Sequence, residues 1–149
     1  MLDMIRAQMN QAVPFAAHAG VELTTLAADG ASARLADAPT SLNHIGSQHA
    51  GALFTLGEAA SGAAMAGVFA TVLLEVRPVA AGARIRYSRV AKGPISARAR
   101  VLGDGAALLD TLASEGKVAF DVAVELTDAQ GQEVAAMTVD WHVSKRRAA

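Results

Sequence analysis

The chain has 149 residues, 52% of them hydrophobic but only 4% aromatic, enough apolar material for one sizeable core built mostly from small side chains. Thirteen Lys and Arg against fourteen Asp and Glu leave a net charge of -1, which speaks against the basic surface of a nucleic-acid binder. There is no cysteine, so disulfides, a thiolate nucleophile and a cysteine metal site are excluded.

Residues 1–10 carry acid and amide groups where a signal peptide needs an apolar stretch, which points to the cytoplasm. Residues 2–12 read as a short amphipathic helix ended by Pro14. Two short alternating strands follow at residues 21–24 and 31–35, joined through the turn signal Asp29-Gly30. A polar loop, residues 38–48, feeds a helix expected from about residue 50 to residue 70. It is apolar on every face, so other elements should surround it. Its uncharged stretch, residues 59–74, falls short of the roughly 20 apolar residues of a membrane span. The reading is a buried helix with no membrane partner.

Four strands make up the second half. Residues 83–87 and 95–101 alternate apolar and polar side chains across the turn Lys92-Gly93-Pro94. Val118, Phe120, Val122, Val124 and Leu126 share one face of the next, and residues 137–143 form the last after a turn at 128–131. Period-two alternation predicts strands buried on one side and wet on the other. Between them, residues 104–113 read as a short capped helix. No repeat or linker divides the chain, so residues 1–149 are read as one domain.

Glu58 is the only Asp, Glu, Lys or Arg between Asp37 and Glu75. A carboxylate in apolar surroundings is costly unless it is paired, hydrogen-bonded or protonated. Two readings stand: a structural acid with its hydrogen bonds satisfied, or a catalytic one. Upstream, Asn43-His44-Ile45-Gly46-Ser47-Gln48-His49-Ala50-Gly51 is polar, small and loop-like and runs straight into the helix. A helix start offers unpaired N–H groups and the positive end of the macrodipole. Seven residues separate Gly51 from Glu58, about two turns at roughly 3.6 residues per turn, so both lie on one face. Donors at the tip and an acid two turns down suit acyl transfer. His49 either caps the helix or, with Asn43, orients a thioester or the attacking water. His44 reads as a solvated loop residue, and His18 and His142 as structural. No metal-ligand spacing is present, so neither metal nor other cofactor is expected.

The pattern Asn43-x5-His49-Ala50-Gly51-x2-Phe54-x-Leu56-x-Glu58 resembles the signature of hotdog-fold acyl-CoA thioesterases of the phenylacetate-degradation type. Most of the chain fits, but the specific part is residues 43–58. Ala50 stands where that family usually has a first glycine, and Glu58 where aspartate is commoner. Val79-Ala80-Ala81 lacks the hydroxyl that some relatives place at the start of the next strand. The resemblance implies an α+β hotdog fold, one long central helix wrapped by a curved antiparallel sheet of about six strands. The inventory of one buried helix and six strands points the same way.

The resemblance further implies hydrolysis of an acyl-coenzyme A. Glu58 would be general base or nucleophile, and the Gly51 N–H would bind the carbonyl oxygen. Asn43 and His49 of one subunit would face Glu58 of another in a homodimer or tetramer, with Ala50 and Phe54 against the substrate. Arg84, Arg86, Arg89, Lys92 and Arg98 are either a wet sheet face or, Arg89 and Lys92 first, contacts for the coenzyme A phosphates. Leu108, Leu109 and Leu112 either belong to a long connection or lean over the acyl tunnel. Two rivals stand beside this reading. One is a non-catalytic acyl-thioester-binding domain, and the other a hotdog dehydratase or hydratase, whose acid lies nearer the glycine.

Overall fold

A computed structural model describes residues 1–148. Two short helices come first, α1 (Leu2–Ala12) and α2 (Pro14–Ala19), then β1 (Val21–Leu26) and β2 (Gly30–Leu35). The central helix α3 (Ala50–Val68) is followed by a 3-10 turn, Ala70–Glu75, and β3 (Val76–Tyr87). β4 (Ile95–Val101), α4 (Gly105–Glu115), β5 (Lys117–Thr127) and β6 (Glu133–Lys145) complete the order. The strands form one antiparallel sheet, β1-β2-β4-β5-β6-β3, with β1 and β3 at its edges. Register shifts in β1, β3 and at the end of β5 bend it. A curved sheet closed over one long helix is the hotdog fold.

The alternation explains the core. Ile95, Ala97, Ala99 and Val101 of β4 are buried, as are Val118, Phe120, Val122, Val124 and Leu126 of β5. Ser96, Arg98, Arg100, Asp121 and Glu125 turn outward. Phe69, at the end of α3, packs its ring on Phe120 with centroids 5.6 Å apart. The small residues of α3 allow close approach. A Cβ at Gly67 would collide with the Ala27 carbonyl oxygen in the β1–β2 turn, so only glycine lets the helix end pack there.

Three features depart from the sequence expectations. Pro14 ends α1 and also opens α2, whose first turn needs no proline N–H. β3 starts at Val76 rather than residue 83, and most of it is exposed on both faces rather than one. β6 pairs with it on one side, and among the described residues no strand pairs with its outer edge. Nor is α3 surrounded: Ala50, Gly51 and Phe54 are exposed and Glu58 and Ala59 only partly buried, while the face toward the sheet is closed. Among the described residues no helix is long and apolar enough to cross a membrane.

Candidate active site

The loop before α3 is held by its own side chains. Asn43 Oδ1 accepts from the N–H groups of Ile45 and Ser47 at 3.1 Å each, and its Nδ2 donates to Ser47 Oγ at 2.8 Å. Gln48 is buried and acts as the anchor. Its amide donates to the carbonyls of Ala36 at 3.1 Å and Gly93 at 2.9 Å, and it accepts from Ser41 Oγ at 2.7 Å. Through Gln48 the segment carrying Arg89 and Lys92 is fastened beside the start of α3, and both cations are exposed there. The Tyr87 hydroxyl donates to the Ala50 carbonyl at 2.9 Å, tying the end of β3 to the same tip.

His49 is the N-cap residue of α3, and its Nδ1 accepts the Gly51 N–H at 2.8 Å. The expected oxyanion donor is therefore engaged by the neighbouring imidazole. Glycine permits this contact, since a Cβ on residue 51 would lie 3.1 Å from Nδ1. A ring nitrogen that accepts a hydrogen bond carries no proton, so the tautomer that fits this contact has its N–H at Nε2.

Two turns along, Glu58 stands on the same side as Gly51 and Phe54, as the spacing predicts. Among the described residues its carboxylate makes no hydrogen bond or ion pair. It borders a cavity of about 220 Å³ whose other walls include Met9, Val13, Ala16, Leu23, Met65 and Trp141. Burial among these groups raises its pKa above the ordinary 4.5, because loss of hydration penalises the charged form. Trp141 Nε1 donates to Ser61 Oγ at 3.0 Å, and Ser61 Oγ donates to the Glu58 carbonyl at 2.7 Å. This relay fixes the indole against the helix turn that carries the acid.

Asn43, His49, Ala50, Gly51, Phe54 and the Arg89–Lys92 segment thus gather at the helix tip, with Glu58 further along the face. The leucines of α4 do not join them. Leu112 is in the core, and Leu108 borders a separate groove with Val79, Lys117 and His142. His142 Nε2 lies 3.3 Å from Asp140 Oδ1, away from the cavity. Among the described residues no group of three or more His, Asp or Glu side chains is placed to hold a metal ion. Gln48, Ser61, Trp141 and the walls from α1 and α2 were not evident in the sequence. A polar Gln before an apolar helix, and the lone tryptophan, were the available signals.

The chain is similar to PA5026 of Pseudomonas aeruginosa, described as a protein of unknown function and probable thioesterase, with a TM-score of 0.85 and 28% identity over 98% of this chain and 97% of that one. It shares its fold with the Escherichia coli PaaI protein of the phenylacetic acid degradation operon, at a TM-score of 0.73 and 18% identity over 99% and 95% of the two chains. The Haemophilus influenzae thioesterase HI1161 gives a TM-score of 0.75 at 13% identity, covering 97% and 91%. No curated protein matches the chain. The family model of the domain of unknown function DUF4442 matches residues 3–143, and the chain belongs to that family.

Proposed function

We propose that this chain hydrolyses the thioester of an acyl-coenzyme A. The observation that carries the reading is Glu58, a half-buried carboxylate at the rim of an apolar cavity with no hydrogen bond or ion pair to another described residue. A structural acid is ordinarily held by protein donors, and Glu58 is held by none among the described residues. As general base it takes a proton from water while the water oxygen bonds the carbonyl carbon. The tetrahedral oxyanion then collapses, the C–S bond breaks, and the proton passes from Glu58 to the departing sulfur. As nucleophile its own oxygen bonds that carbon and expels the thiolate, and water cleaves the resulting anhydride. Either course yields a carboxylic acid and free coenzyme A.

At the tip, the carbonyl oxygen replaces His49 Nδ1 as acceptor of the Gly51 N–H, a donor of the kind typically worth about 3 kcal/mol in the transition state. Arg89 and Lys92 meet the phosphates. Two copies complete the site, Asn43 and His49 of one facing Glu58 of the other. The uncovered tip of α3, with Phe54 37% exposed, and the bare β3 edge, with Val79 46% exposed, support this assembly.

One observation favours the rival, a non-catalytic acyl-thioester-binding domain: the Gly51 N–H is already hydrogen-bonded. A panel of acyl-CoAs with detection of released thiol separates the two. Thiol release by wild type, lowered roughly 10²–10⁴-fold in Glu58→Gln with its fold intact, supports hydrolysis. No release from any member of the panel ends it.

A further inference from the structure

The cavity beside Glu58 has a wall that thioester chemistry does not require. Met9 of α1, Val13 at the joint and Ala16 of α2 supply it, opposite Met65 of α3 and the Trp141 ring of β6. The wall is fixed rather than loosely laid on. Asn10 Nδ2 donates to the Leu23 carbonyl at 3.1 Å and its Oδ1 accepts the Leu23 N–H at 2.8 Å. Arg6 Nη1 donates to the same carbonyl at 3.2 Å. Leu2, Ile5, Met9, Ala16 and Ala19 pack on the core from the same hairpin.

The chemistry of the lining limits what can enter. Asn10 and Glu58 are its polar side chains, and each end of the Asn10 amide already holds one hydrogen bond to Leu23. A group carried deep into the cavity would give up its hydration for little return, a modest penalty for a hydroxyl and a large one for a charge. Size limits it as well. A cavity of about 150 Å³ takes up benzene, so by proportion 220 Å³ holds about eight or nine carbons.

We propose that the α1–α2 hairpin is the acyl-selecting element of this chain. The cavity takes an uncharged, apolar acyl group of up to about eight or nine carbons, and Met9, Val13 and Ala16 set its limit. This rests on the thioesterase reading for the identity of the occupant as an acyl group, while the cavity's selectivity can be measured without turnover.

Trp141 is the only tryptophan of the chain and lines the cavity, so its emission reports entry. Neutral primary alcohols of increasing length serve as probes, because they leave the charge of Glu58 out of the measurement. Medium alcohols should change Trp141 emission saturably, and long ones should not. Ala16→Leu should shift the cut-off to shorter alcohols and Met9→Ala to longer ones, and the acyl-CoA preference should follow, by about 10-fold or more for members at the limit. Because one variant fills the cavity and the other empties it, loss of fold in one leaves the other to decide.

No saturable response to any alcohol, or a cut-off unmoved by either variant, overturns the proposal. Alcohol binding with the expected cut-off but no thiol release from any acyl-CoA sinks the thioesterase reading and leaves the selectivity of the hairpin standing. Thiol release with a chain-length profile untouched by both variants does the reverse.

Discussion

The imidazole of His49 and the backbone N–H of Gly51 are joined by a 2.8 Å hydrogen bond at the start of α3. The contact gives His49 two separable duties. As an N-cap it satisfies an orphan donor, which is worth about 1 kcal/mol. Under the proposed function it would also present Nε2–H at the site and yield the Gly51 N–H to the substrate. His49→Ser keeps a capping oxygen and removes the ring, whereas His49→Ala removes both. Both variants should lose roughly 10-fold or more in kcat/KM, but only His49→Ala should lose about 1 kcal/mol of stability. Full turnover in His49→Ser would reduce the histidine to a cap.

Glu58 should impose opposite pH trends on rate and stability. Its pKa lies above the ordinary 4.5 because burial disfavours the charge. As base or nucleophile it must be ionised, so kcat/KM should rise along an acid limb whose midpoint lies above that value. Between the unfolded and folded pKa values the native chain holds more protons than the unfolded one, so stability falls as pH rises through that window. Glu58→Gln cannot ionise. It should lack the acid limb and gain stability relative to wild type as pH increases there. A rate profile without that limb in wild type, or a stability difference that ignores pH, contradicts the assignment.

Assembly and catalysis can be tested together. β3 is a long, bare edge and the tip of α3 lies open beside it, an arrangement a second copy would protect. If one copy supplies His49 and the other Glu58, mixed dimers of His49→Ser and Glu58→Gln chains hold one intact site and one doubly altered site. Random mixing makes half the dimers mixed, so about a quarter of wild-type activity should return from two weak variants. No recovery after unfolding and joint refolding, or a mass near that of one chain by light scattering, would exclude the shared site.

How much of this was legible in the sequence depends on the range of the contact. The strands β4 and β5 show their buried faces through period-two alternation, and seven residues of helical spacing put Gly51 and Glu58 on one side. β3 was legible only in part: Ile85, between exposed Arg84 and Arg86, packs half-buried on the core as the alternation suggests, whereas Val79, Ala81, Ala83 and Tyr87 stay exposed. The α1–α2 wall was out of reach for another reason. Met9 and Glu58 border one cavity because α1 is held to β1, in part by the grip of Asn10 on the backbone of Leu23, and no periodicity encodes a side chain bonded to a distant main chain. Likewise the three leucines of α4 look alike in sequence, yet only Leu112 is fully buried and Leu108 faces a different groove.

Two glycines one and a half turns apart on α3 should respond oppositely to the same change. In an unobstructed helix interior, Gly→Ala gains about 1 kcal/mol because alanine loses less backbone freedom on folding. At Gly62 the added Cβ would sit 3.4 Å from the Trp141 ring, an ordinary contact, so Gly62→Ala should keep or raise the melting temperature while narrowing the cavity. At Gly67 the added Cβ would run into the Ala27 carbonyl oxygen, a backbone atom that cannot swing aside. Overpacking of this kind costs about 1–3 kcal/mol, and a main-chain obstacle puts it at the upper end, beyond the propensity gain. Gly67→Ala should therefore lower the melting temperature by about 4–8 °C, given roughly 2–4 °C per kcal/mol in a chain of this size. Paired thermal melts decide the matter: equal shifts in the two variants would mean that α3 does not pack against the β1–β2 turn as tightly as described.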